Sequence, residues 1–381
     1  MNISDFTQCS NCGACYNICP KGAISLKTDG LFYTPSVDNK LCVDCSKCAG
    51  VCPVNREIEG NAPAAAFSGW HKDSSVVLNS SSGGVFYGIA NAVVLQGGVV
   101  FAAVFSGDCR EVVFASSDEV PINAMLKSKY VESRVGFTFQ RIKTTLESGR
   151  KVMFTGTPCQ VAGLRCFLGQ DFENLVTCDF ACGGLPSHQV YQEYLSGLEQ
   201  KYASKAVNVD FRHKSHGWKR YVIRVDFQNG KKYLRLGIED PYLKSFLYGK
   251  CSVRDYCLDC KFPEHHMSDI TIADFWRHKN ISTLENENGI SLILCNTQKG
   301  RNTIDSIKHQ FVLSGTDLGK ALYNNRIQIS EKAKNRQKLF LQDYKKYGLK
   351  TASKKYIPFP IQSRLKHWLV RELFGKRRIS E

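Results

Sequence analysis

The chain lacks any apolar stretch long and unbroken enough to cross a bilayer. The best candidate, Val85–Phe105, is interrupted by Asn91, Gln96, Gly97 and Gly98. A spanning helix needs about twenty mostly apolar residues, so the stretch reads as a buried helix, a glycine turn and a buried strand. The start, Met1-Asn2-Ile3-Ser4-Asp5, lacks the basic-then-apolar order of a secretion signal. A disulfide framework is missing too. Of 17 cysteines, eight fall in two regular runs and nine are left over, an odd number. A reducing cytoplasm is the expected compartment. There is no repeat beyond those two runs. No nucleic-acid-binding motif accompanies the basic residues, so nucleic acid is not an expected partner. Acidic residues are scarce at one end only. Residues 331–381 hold fifteen Lys and Arg against four Asp and Glu, which is +11 of the formal net charge of +16 and leaves about +5 on the other 330 residues.

The two runs are Cys9-x2-Cys12-x2-Cys15-x3-Cys19-Pro20 and Cys42-x2-Cys45-x2-Cys48-x3-Cys52-Pro53. Short loops at this spacing turn three sulfurs toward one iron–sulfur cube, and the fourth cysteine reaches the other cube. One [4Fe-4S] cluster is therefore expected on Cys9, Cys12, Cys15 and Cys52, and a second on Cys42, Cys45, Cys48 and Cys19. The prolines help end each loop by fixing φ and removing a donor. Zinc pairs two short knuckles and fits two complete four-cysteine runs poorly. The region resembles a bacterial-type two-cluster ferredoxin, including Ala23-Ile24 after the first Cys-Pro. Such a module implies an electron partner.

With 381 residues the chain has room for two domains. Residues 1–56 form the ferredoxin module, and 57–66 read as a Gly- and Pro-containing linker. A mixed domain follows over 67–330, and a basic helical tail over 331–381. Ser82-Gly83-Gly84 precedes an apolar helix, a place suited to an anion or to a plain cap. Lys127 and Lys129 flank Tyr130 and read as a phosphate or flavin contact or as a solvated loop. Cys159 and Cys182 each stand just past a strand, Lys151–Thr155 and Asn174–Ala181, where α/β proteins gather ligands. Ser187 caps a helix over His188–Tyr202. Strands are expected at Val207–Arg212 and Tyr221–Phe227, with Asn229-Gly230 turning into Lys231–Leu236. Cys251-x5-Cys257-x2-Cys260 comes next, then a strand ending in Asp274.

Several phrases, in order over about residues 67–315, resemble the beta-subunit family of coenzyme F420-reducing hydrogenase and dehydrogenase. They are Ser82-Gly83-Gly84, Lys127-Ser-Lys129-Tyr130-Val131, Gly156-Thr157-Pro158-Cys159-Gln160, Cys182-x-Gly184, Phe211-Arg212-x-Lys214-x2-Gly217-Trp218, Cys257-x2-Cys260, Asp269-Ile-Thr-Ile and Asp274-Phe275-Trp276. The resemblance implies a mixed α/β flavin- and iron–sulfur-binding domain, so the expected fold is an α+β chain in which the small ferredoxin domain precedes it and the basic helical tail, which lies beyond the resemblance, follows. It implies bound FAD, with contacts at Ser82, Gly83, Gly84, Lys127 and Lys129. It also implies a third [4Fe-4S] cluster on Cys159, Cys182, Cys257 and Cys260. Four thiolates and a Cys-x2-Cys spacing suit that assignment. Zinc on the same cysteines is the alternative, and Cys251 is a reserve ligand. Cys109, Cys166, Cys178 and Cys295 read as buried thiols. The pattern departs from the family at Arg254-Asp255-Tyr256-Cys257, where Arg-Pro-Ser is usual before the cysteine, at Met267 and at Arg277. These departures bear on the acceptor pocket.

The expected activity is that of an iron–sulfur flavoprotein oxidoreductase. Electrons pass between the clusters and FAD, and on to a deazaflavin or another organic acceptor. The alternative is a non-catalytic electron-transfer subunit of a larger complex. The partners implied are a ferredoxin or a hydrogenase- or dehydrogenase-like subunit, and a small-molecule acceptor. His213, His216 and Asp274 are acid–base candidates. Ile361, Leu365, Trp368, Leu369, Leu373 and Phe374 recur at helical spacing among basic residues. Such a helix can lie on an anionic membrane face or pack on its own domain.

Overall fold

Four parallel strands carry the cysteine turns of the larger domain. The computed structural model describes residues 3, 8–28, 30–276, 285–319, 321 and 331–357. Nine strands form the main sheet, in the order Phe311–Gly315, Ala65–His71, Ser291–Cys295, Ile270–Asp274, Leu175–Phe180, Val152–Thr155, Val99–Phe105, Val112–Ser116 and Ser133–Arg134. The strands from Ile270–Asp274 to Val99–Phe105 run parallel to one another. Antiparallel neighbours flank them on both sides.

The inner strands are almost wholly apolar, as parallel strands covered on both faces must be. Alternate residues point to opposite faces. Val99, Phe101, Val152, Phe154 and Leu175 pack with Phe139, Ile142 and Leu164. Val100, Ala102, Met153 and Val176 pack with Val85, Ile89, Val93, Ile304 and Ile307. A second sheet of Ala206–His213, Val222–Phe227 and Lys232–Leu236 is an antiparallel meander. Its last turn has Gly230 at φ 79°, as the Asn-Gly pair requires. Ser187 caps the helix His188–Tyr202 by accepting from the Val190 amide.

Residues 8–56 make a small module. Ile24–Lys27 pairs antiparallel with Thr34–Val37, and short helices at Ala14–Ile18 and Lys47–Gly50 carry the middle of each cysteine run. Cys12, Ala14, Tyr16 and Ile24 share one core with the sheet and with the helix Pro158–Leu168.

The chain divides into two compact units. The first takes Met1–Gly237 and Val253–Ile329. The second takes Ile238–Ser252 and Ser330–Glu381, of which residues 331–357 are described. Within the second unit the helix Glu331–Tyr356 turns at Gly348 and buries Ala333, Gln337, Phe340 and Tyr344. Ser353 Oγ donates to the Pro241 carbonyl at 3.1 Å and Arg336 to that of Gly249 at 2.8 Å. Among the described residues no helix is long and apolar enough to cross a membrane. The apolar and basic positions from Ile361 to Arg378 lie outside the described residues.

Gly163 sits where the helix Pro158–Leu168 meets the ferredoxin loop. A Cβ there would lie 2.9 Å from Cys12 Cβ and 3.1 Å from its Sγ. In an open helix Gly→Ala stabilises by about 1 kcal/mol. Overpacking a closed contact costs about 1–3 kcal/mol. Gly163→Ala should therefore melt below the wild type under anaerobic conditions, measured by calorimetry. An equal or higher melting temperature would mean the contact is slack.

Candidate metal centres

Three recesses are lined by cysteines. One, about 440 Å³ with open solvent included, is lined by Cys9, Cys12, Cys15 and Cys52. The second, about 400 Å³, is lined by Cys19, Cys42, Cys45 and Cys48. The third, about 610 Å³, is lined by Cys159, Cys182, Cys257 and Cys260. Each recess thus gathers one of the three expected cysteine sets. Cys251 is not among the residues lining any of the three. It belongs to the second unit, where its Sγ lies 3.3 Å from the Gly249 carbonyl. Cys109, Cys178 and Cys295 are buried, and Cys166 is partly so.

Local sequence explains how each loop is held. The first run takes positive φ at Asn11 and Gly13, and the second repeats it at Asp44 and Ser46. These residues turn the chain so that the intervening sulfurs face inward. Cys159 follows Thr157-Pro158 at a helix start. Thr157 and Gln160 form a capping box and Pro158 takes the first turn. That places the Cys159 thiol at a helix N-terminus, where a thiolate is favoured. Cys182 follows the neighbouring parallel strand. Gly184, at φ 109°, lets that turn approach Cys257: a Cβ there would be 3.3 Å from Cys257 Cβ.

Backbone amides point at sulfurs. Asn11 donates to Cys9 Sγ and Ala23 to Cys19 Sγ, both at 3.3 Å. Gly184 donates to Cys182 Sγ at 3.5 Å and Leu185 to Cys257 Sγ at 3.3 Å. Such contacts stabilise thiolate and tune cluster potential. Burial pushes the thiols of Cys12, Cys15, Cys52, Cys159 and Cys257 upward, and that of Cys260 to about 12. Such thiols stay protonated until a cation replaces the proton. Among the described residues no three His, Cys, Asp or Glu side chains sit close enough to hold one metal ion.

The first and third recesses touch. Ser10 lines both, and the Cys159 thiol faces the Ser10 carbonyl at 3.6 Å. The first and second recesses are joined through the two short helices, since Cys15 and Cys52 line one while Cys19 and Cys48 line the other. The order is second, first, third.

The residues expected to hold flavin lie on two adjoining loops. Ser128 N–H donates to Ser81 Oγ at 2.8 Å and ties the loops together. Most of their donors are engaged within the protein. Ser82 Oγ donates to the Ile290 carbonyl at 2.7 Å, and the Gly83 amide to Ser291 Oγ at 2.9 Å. Lys127, at φ 67°, pairs with Asp210. Lys129 Nζ donates to the carbonyls of Met125, Leu126 and Lys127 at 3.2, 2.8 and 3.4 Å. Gly84 caps the helix Val85–Leu95, whose opening amides have no partner within the helix. Ser80 Oγ nearby is buried and unpartnered. The helix start therefore fits an anion, while Ser82, Gly83 and Lys129 do not offer free donors to a flavin.

Two further cations adjoin the same loop. Lys214 Nζ donates to the carbonyls of Val77 and Ser82 at 2.6 and 2.8 Å. Arg212 grips Asp274 with two contacts at 2.8 and 3.1 Å, and lies over the Tyr221 and Trp276 rings at 4.3 and 4.9 Å. Asp274 also accepts from Trp218 Nε1 at 2.9 Å. Its carboxylate is a held counterion. His213 Nδ1 accepts from the Ser215 amide at 3.3 Å, and burial lowers its pKa. His216 lies in an exposed turn. Arg212 and Lys214 stand inside the family phrase, yet charge type alone did not mark Arg212 as buried or Lys214 as partly so.

Burial lowers the Lys129 ammonium to about 7. Between pH 7 and 10 the unfolded chain then binds more protons at this lysine than the folded one, so its contribution to stability rises with pH. Wild-type protein should gain stability relative to Lys129→Met across that range, read by anaerobic denaturant titration. Parallel curves would show that the ammonium stays charged in the fold.

The chain is similar in sequence to several known proteins. Residues 149–320 match the family described as coenzyme F420 hydrogenase/dehydrogenase, C terminus of the beta subunit. Residues 8–56 match a 4Fe-4S dicluster domain. One subunit of the F(420)H(2) dehydrogenase of Methanosarcina mazei is 22% identical over 339 residues, covering 85% of this chain and 89% of that protein. The coenzyme F420-dependent sulfite reductase of Methanocaldococcus jannaschii is 22% identical over 311 residues, 80% of this chain but 47% of that protein. A ferredoxin-like protein in the nif region of Rhizobium leguminosarum is 44% identical over 54 residues, 13% of this chain and 78% of that protein. A chain in the xenon-derivatized F420-reducing [NiFe] hydrogenase complex of Methanosarcina barkeri gives a loose likeness of shape. Its TM-score is 0.48 at 14% identity, over 77% of this chain and 95% of that one.

Proposed function

Because residues 8–56 match a 4Fe-4S dicluster domain and residues 149–320 match the C-terminal domain of the coenzyme F420 hydrogenase/dehydrogenase beta subunit, we propose that the chain relays electrons through three [4Fe-4S] clusters to FAD and on to a deazaflavin or other organic acceptor. It is an iron–sulfur electron-transfer protein of oxidoreductase type. The observation that carries the relay is the row of three cysteine-lined recesses, with Ser10 shared between the last two.

The third recess is lined by four cysteines, two of them at a Cys-x2-Cys spacing, which suits a cube, with zinc on the same cysteines as the alternative. Exposure marks the outer end of the row. Cys45 is exposed, and Leu41 and Val43 beside it are 50% and 56% exposed, whereas Cys12 and Cys159 are buried. A partner's redox centre docks at the second recess and exchanges electrons there. Thr157 and the Gly184 and Leu185 amides hold the third set of thiolates. FAD, with its phosphates at the Gly84 end of the helix Val85–Leu95, would supply the conversion between one- and two-electron transfer.

The second reading, a non-catalytic subunit within a larger complex, is favoured by the engagement of Asp274, Lys129 and Ser82 inside the protein. Purified chain alone, given reduced viologen and a deazaflavin, separates the two: turnover supports the first and its absence the second.

Anaerobic purification with iron, sulfide and flavin analysis tests the relay. About twelve irons per chain are expected, with one FAD, and Cys257→Ser/Cys260→Ser should retain about eight. Wild-type protein with about eight irons, unchanged by that double substitution, would remove the third cluster.

The proposal extends to a peripheral membrane contact. On the helix Glu331–Tyr356, Lys338, Lys345, Lys346, Lys350 and Lys354 are exposed beside exposed Leu339 and Tyr347. Full-length chain should pellet with anionic vesicles in low salt, and a form ending at Lys355 should pellet less if the segment beyond it inserts. Failure of both to pellet would discard the contact.

A further inference from the structure

One buried carboxylate stands where the ferredoxin module meets the loops of the third recess. Glu132 is fully buried. Its Oε1 accepts from the Tyr33 amide at 2.7 Å and faces His188 Nδ1 at 2.8 Å. Its Oε2 accepts from Arg254 at 2.9 Å and from Asn11 Nδ2 at 3.5 Å. Asn11 lies between Cys9 and Cys12, and Tyr33 in the ferredoxin hairpin. His188 opens the helix that follows the Cys182 turn, and Arg254 stands three residues before Cys257.

Arg254 completes the junction. Its guanidinium donates to the carbonyls of Tyr33 and, at 3.4 Å, Cys9. Its own amide donates to the Leu185 carbonyl at 3.0 Å, and its carbonyl accepts from the Cys257 amide at 2.9 Å. The Tyr33 and His188 rings stack at 3.8 Å with 3° between planes. So one side chain bonds the Cys9 loop while its backbone bonds both the Cys182 and Cys257 loops.

We propose that the Glu132–Arg254 pair is a positioning clamp that seats the ferredoxin module on the larger domain and fixes the first recess against the third. The electronic part of this rests on the relay proposed above; the seating part does not. A lone buried charge left by removing one partner is strongly disfavoured, whereas removing both charges together is tolerated. Arg is suited to the task because its rigid planar fork holds several oxygens in fixed directions, whereas an ammonium acts as a compact point charge on a flexible stem.

The test compares holoprotein carrying Glu132→Gln, Arg254→Gln, or both. Amide hydrogen exchange is followed over residues 9–17 and 30–36, and the magnetic interaction between reduced clusters by electron paramagnetic resonance. Each single variant should exchange roughly tenfold or more faster in those segments. Each should also weaken the interaction between the first and third clusters. The double variant should be no worse than the poorer single one, because the pair acts as a unit. If a single variant fails to retain its iron, the double variant still reads out the clamp: exchange about as fast as in the surviving single variant supports it, and near-wild-type exchange overturns it. Unchanged exchange in the single variants, or additive losses in the double, would overturn it. Faster exchange in protein whose wild type binds only about eight irons would uphold the seating and remove the relay instead.

Discussion

The arrangement depends on how closely the ferredoxin loop can approach the helix Pro158–Leu168. Cys12 packs where Gly163 presents no side chain, and Cys159 starts the same helix one recess further in. A single rigid element therefore touches two cysteine sets. The parallel strands fix where that helix begins, since Thr155 and Phe180 end at the same edge of the sheet. Cys159 and Cys182 are brought together by strand direction. Cys257 and Cys260 come to them from a loop that carries two short 3-10 turns, Asp255–Asp259 and Phe262–Glu264.

Charge is organised around a different point. Lys127, Lys129, Arg212 and Lys214 gather about the Ser80–Gly84 turn, against Asp210 and Asp274. Each cation is held by carbonyls or a carboxylate, so the turn is rigid before any ligand arrives. The opening amides of the helix Val85–Leu95 point their partial positive charge at this turn, which favours anions. That preference is compatible with nucleotide phosphates and does not by itself select one.

How legible this was in the sequence depended on the range of the signal. The cysteine runs were plain because spacing within a short loop is nearly a covalent constraint. Cys159 and Cys182 were visible because each follows an apolar strand with a small-residue turn. The engagement of Ser82 and Lys129 was not visible: a lysine's sequence position does not tell whether its ammonium faces solvent or a ring of carbonyls. Glu132 carried no pattern at all, since its partners lie 99, 56 and 122 residues away. The association of Ile238–Ser252 with the helix Glu331–Tyr356 is long-range in the same way, and neither segment announces the other.

The repeated left-handed turns set different limits on the two halves of the small module. Asn11 and Gly13 in the first run match Asp44 and Ser46 in the second, so the two halves use the same backbone turn. At Gly13 a Cβ would meet Val135 and the Tyr16 hydroxyl at 2.9 Å, while Ser46 is free of such a wall. A side chain is thus excluded at the first turn by both backbone and packing, whereas the exposed second turn carries one.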